Sequence, residues 1–161
     1  MFKSPILNLH TGSPQGTVVA GARFPGLSTG IDIVMGDPSS AAPERCSRLE
    51  RTSLSKGSWG FQSVGTGRVY EWRRTHRKEL GASRYSNDDF KLVDSADHDR
   101  VLATYIKDSF YGGSDVAHMD FFVELGQDLE LQAITSILAI EEKSRRQHDA
   151  GRVGAISAAG A

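Results

Sequence analysis

The chain is short of cysteine, of long apolar runs and of any excess of one charge. Cys46 is its only cysteine, so no disulfide can form within the chain, and a reducing compartment is its natural setting. Its 19 lysines and arginines against 20 aspartates and glutamates leave a formal net charge of −1. That balance argues against a general nucleic-acid binder, which shows a strongly basic surface. The N-terminal stretch MFKSPILNLHTGSP carries one lysine and a broken apolar run, and so makes a poor secretory signal. The most apolar segment, residues 129–140, is about half as long as the ~20 residues a transmembrane helix requires. A soluble cytoplasmic protein is therefore expected, not transmembrane, with any membrane contact peripheral and with no cofactor.

What the chain does have is one unusual helix signal, residues 128–147, DLELQAITSILAIEEKSRRQ. Its first half reads as apolar all round the helical wheel and its second half is densely charged. A surface helix needs only one apolar stripe, so the first half calls for enclosure. Asp128 is the expected cap, Lys143, Arg145 and Arg146 suit the negative end of the dipole, and Gly151 is the expected stop.

Upstream, short runs of period two alternate with glycine, proline, asparagine, aspartate and serine. They place strands at residues 6–9, 17–24, 31–35, 59–64, 68–74, 90–94, 100–107 and 115–125. Residues 48–55 alternate weakly and read as an edge strand or an extended connection. Gly65-Thr66-Gly67 reads as a hairpin link, and GDPSSAAP as a loop in which Pro38 and Pro43 interrupt pairing. Regular spacing of this kind implies antiparallel hairpins in a barrel or sandwich rather than βαβ units. The expected organisation is one domain over residues 1–149, mainly β with a C-terminal helix, and a disordered tail at 150–161.

Several segments resemble a known superfamily. They are GRVYEWRR around Tyr70 and Trp72, FKLVD at 90–94, RVLATYIKD at 100–108, and the last strand leading through Gly126 into the helix. In order and spacing, residues 59–146 resemble the tubby C-terminal-like domain, shared by tubby proteins, phospholipid scramblases and LURP-one-related proteins, and most of all its small fungal members. The resemblance implies a closed antiparallel β-barrel enclosing the hydrophobic C-terminal helix. It also implies a non-enzymatic domain that binds anionic phospholipid or phosphoinositide headgroups.

The residues offer one matching lead. Between Arg68 and Lys78 lies a formal excess of about four positive charges, concentrated in Arg73, Arg74, Arg77 and Lys78. Arginine forks can hold phosphate oxygens in bidentate fashion; the plainer reading is a solvated strand end. Asp94, Asp97, His98 and Asp99 look superficially like metal ligands but lack the spacing of a calcium loop or a zinc site, and no metal is expected. His118 and Asp120 share the polar face of the last strand without an assigned nucleophile. Cys46, beside Arg45 and Arg48, sits where cations could lower a thiol pKa. Anionic-headgroup binding through Arg73, Arg74, Arg77 and Lys78 is the leading expectation. The alternative is a protein-interaction scaffold with no lipid ligand.

Overall fold

In the computed structural model the described residues are 6–26, 28–41, 45–54, 57–108 and 116–159. Expectations that fall on Pro43, Ser55, Asp115 and residues 160–161 lie outside them. Nine strands precede one long helix: β1 (Ile6–His10), β2 (Val18–Arg23), β3 (Ile31–Met35), β4 (Cys46–Ser53), β5 (Ser58–Gln62), β6 (Val69–Arg74), β7 (Phe90–Asp94), β8 (Asp97–Asp108), β9 (Val116–Phe121) and α1 (Gln127–Ala159). Each strand pairs antiparallel with the next, so the sheet order is simply β1 to β9. The register places one apolar row across it, with Trp59 opposite Trp72, Trp72 opposite Leu92 and Leu92 opposite Ala103.

Alternation along each strand sends that row to the inner face, where it meets the helix. Ile31, Ile33, Leu49, Phe61, Trp72 and Leu92 join Ala133, Ile137 and Ile140 of α1 in one buried cluster. Full burial of such a side chain contributes roughly 1.5–3 kcal/mol, so this contact dominates the fold. The helix comes closest to β2 and β3, where the inner face carries Ala20 and Ala22, both completely buried. Small side chains there let the two backbones approach.

The sheet is not closed, and the expected barrel is corrected to an open sheet curled around the helix. No pairing joins β1 to β9. The topology gives the reason. In an up-and-down meander of nine strands the first and last run in the same direction. Closure would need a parallel pair, the less stable kind, and could not continue the antiparallel ladder. The helix registers the gap: Leu131, Ile134 and Leu138, three and four residues apart, stay half-buried while most of their neighbours are buried. Leu7 of β1, Ala117, Met119 and Phe121 of β9, and Leu138 pack only partly against the core. Between these edges lies a cleft of about 540 Å³, lined in part by Leu7, Ala117, Leu138 and Arg145.

Three local expectations also change. β4 is an inner strand of the sheet, paired with both β3 and β5, although its exposed residues gave it the polar look of an edge. The helix does not stop at Gly151 but runs on to Ala159, so residues 150–159, expected as a disordered tail, are helical. Gly151 is not among the glycines with positive φ, so it does not form the left-handed turn that ends a helix. Asp128 lies inside the first turn and its carboxylate takes the Arg45 guanidinium. None of the described helices is long and apolar enough to cross a membrane.

Candidate functional site: the basic strand end

The four predicted residues do not form one patch. Successive side chains on a strand point to opposite faces. In β6, Tyr70 and Trp72 are buried on the inner face, so Arg74 shares their side and Arg73 takes the outer one. Arg74 lies against Gly57, its Nε 2.8 Å from where a Cβ on that glycine would sit. It lines a recess with Arg51, Trp59 and Lys143 where the helix leaves the sheet. Arg77 and Lys78 belong to the turn after β6, whose 3-10 segment is Lys78–Leu80.

On the outer face Arg73 stands opposite Lys91 of β7. The Lys91 ammonium is held below its usual pKa, first by partial burial and then by Arg77 and Arg73, with Asp99 only partly compensating. Three cations from three segments therefore converge: Arg73, Arg77 and Lys91. Their free charge is unequal. Arg73 Nε lies 3.1 Å from Glu71, whose carboxylate is largely buried and also has His98 at 3.7 Å. Arg77 meets Glu79 at 2.8 Å, but both side chains are more than half exposed. A surface pair of that kind is worth about 0–1 kcal/mol, so Arg77 is easily redirected to another anion. Among the described residues Lys78 and Lys91 form no ion pair.

The turn carrying Arg77 and Lys78 is anchored by Asp89, a residue that sequence reasoning passed over. Its carboxylate is buried and accepts two backbone N–H bonds, from Ser83 at 2.8 Å and from Lys107 at 3.0 Å. Its carbonyl accepts a third, from Thr75 at 2.9 Å. Hydrogen bonds to a charged acceptor contribute roughly 1.5–3 kcal/mol each, enough to hold residues 75–89 folded against β7 and β8. Nothing in the sequence marks this aspartate, because it follows another and sits in an ordinary turn composition. Lys91 was equally hidden, since its role comes from pairing across strands.

The remaining candidates fall into place locally. Asp94 is buried, takes the Arg68 guanidinium, and accepts from the Ala96 backbone at 2.9 Å, closing the β7–β8 turn. Asp97 and Asp99 begin β8, and among the described residues no three His, Cys, Asp or Glu converge as a metal cluster. His118 Nδ1 lies 3.1 Å from Asp108 and Nε2 lies 3.6 Å from Asp120, all three exposed. The Cys46 thiol is not activated: partial burial and Asp32 push its pKa up, outweighing Arg23 and Arg48.

Comparison with protein-family models, with curated proteins and with solved structures finds no match.

Proposed function

We propose that the chain is a non-enzymatic, tubby-like domain of the cytoplasm that binds anionic phospholipid or phosphoinositide headgroups at a membrane surface. The observation that carries this reading is the pairing of Arg73 with Lys91 on the outer face of β6 and β7, with Arg77 close enough to act on the Lys91 charge and Lys78 next to Arg77 in the turn. A phosphate offers three strong acceptor oxygens and exchanges readily for an exposed carboxylate partner. Arg77, Lys78 and Lys91 are the binding residues, and Arg73 is the structural one, held by Glu71. Arg74 faces the other way and belongs to the end where the helix emerges.

Flotation with vesicles of phosphatidylcholine carrying phosphatidylserine or a phosphoinositide tests it. The wild-type chain should float with the anionic vesicles and a variant with alanine at Arg77, Lys78 and Lys91 should not. Equal flotation of the two would remove the assigned surface.

A scaffold role is the second reading, favoured by the two unpaired edges β1 and β9 and the cleft between them. It predicts a protein partner cross-linked to those strands and no binding to vesicles.

A further inference from the structure

A second cationic site lies where the helix leaves the sheet, on the opposite side of β6 from the surface just described. Its floor is Trp59, only 4% exposed. Two cations stand over that indole: the Arg51 guanidinium at 5.2 Å and the Lys143 ammonium at 5.6 Å from the ring centroid. Arg51 is paired with Trp59 across β4 and β5, while Lys143 arrives from the helix and also donates to the Thr29 carbonyl. Arg74 lines the adjoining recess together with both.

The charge here is unbalanced in a specific way. Glu50 lines the cleft, but it faces Arg48 at 3.6 Å. Asp88 and Glu141 line the recess, and both face Lys107. Among the described residues Arg51, Arg74 and Lys143 form no ion pair. Burial, then Arg51 and Arg48, hold the Lys143 ammonium below its usual pKa, as expected for cations gathered without a counter-charge. The cleft that opens beside them, lined by Gly26, Ser28, Thr29, Leu54 and Gln147 among others, measures about 470 Å³. That is within the range of small-ligand sites, roughly 300–1,000 Å³.

We propose that this cleft binds a phosphomonoester dianion, with the phosphate between the Arg51 fork and the Lys143 ammonium and Arg74 reaching it from the recess. A dianion offers one oxygen edge to a planar guanidinium and another to a point-charge ammonium, which is the division of labour these two side chains suit. The apolar floor of Trp59 excludes water beneath the cations and strengthens the pairing. The site is independent of Arg77, Lys78 and Lys91, so the two proposals can fail separately.

Isothermal titration calorimetry with inorganic phosphate and with glycerol 3-phosphate tests it on the full chain. The wild type should bind both saturably. Lys143→Gln and Arg51→Gln should each weaken binding at least about tenfold, the loss expected when one charged hydrogen bond is removed. Arg51→Lys should recover part of it. Thermal melts of each variant separate lost binding from lost folding. Vesicles carrying phosphatidic acid present the same phosphomonoester on a lipid. In a background with Arg77, Lys78 and Lys91 replaced by alanine, flotation that Lys143→Gln abolishes would support the site with a lipid source, and no flotation beside saturable phosphate binding would support a soluble one. No saturable phosphate binding by the wild type, or equal binding by folded Lys143→Gln, would overturn the proposal.

Discussion

At the scale of single residues, the buried polar side chains of the helix decide how it sits in the sheet. The Trp72 indole N–H donates to Ser136 Oγ at 2.8 Å, and both residues are fully buried. Gln132 accepts from the Val64 backbone at 2.9 Å and donates to the Gln62 carbonyl at 3.1 Å. These bonds fix the rotation and depth of the helix, which apolar contact alone leaves loose. Ser136→Ala would leave the indole N–H buried without a partner, a cost of about 1–3 kcal/mol. Urea unfolding should show that loss as a lower midpoint with an unchanged slope. The wheel of residues 129–140 showed enclosure but hid this layer. Gln132 and Ser136 gave no sign of it, because their partners Val64, Gln62 and Trp72 lie far away in sequence. Arg51 and Lys143 were hidden for the same reason.

At the scale of elements, period two was enough to find the strands, because each buries one face. Its weakness showed at β4, where the exposed residues Arg48, Glu50 and Arg51 are polar although the strand is paired on both sides. The helix start was legible and its end was not: a glycine without a left-handed turn is only a weak spot, and the alanine-rich residues beyond it favour helix. Within the emerging half, Glu142 accepts from Arg145 at 2.8 Å and from Arg146 at 2.6 Å. Arg145 above all, then Arg146, holds the Glu142 carboxyl below its ordinary pKa. A depressed carboxyl pKa stabilises the fold above the unfolded value of about 4.3, and that stability is lost as pH falls through the folded value. Glu142→Gln should therefore reduce stability at neutral pH and flatten its decline in acid. Chemical denaturation at neutral pH and near pH 3 reads both effects. An acid limb as steep as that of the wild type would contradict the assignment.

At the scale of the whole molecule, the mainly β class and the single C-terminal helix could be read from the chain, but the closed barrel could not. Whether nine strands close depends on the parity of the meander and on its edges, neither of which leaves a local pattern. The open seam predicts a graded response along the helix. Ile137 is 1% exposed, so Ile137→Asp would bury an unpaired carboxylate at a cost of several kcal/mol and should unfold the chain. Ile134 is half-buried on the stripe that faces the gap, and Ile134→Asp should be the milder change by circular dichroism. Equal losses would argue for a sheet that closes. The proposed headgroup binding lies on the outside of the sheet, at Arg77, Lys78 and Lys91. Amide-resolved NMR titration with bicelles carrying anionic headgroups is the most direct test of that claim. The account predicts shifts concentrated at residues 73–78 and 91, with the buried helix residues 129–140 unmoved. Shifts confined to β1, β9 or the helix, or no shifts at all, would contradict it.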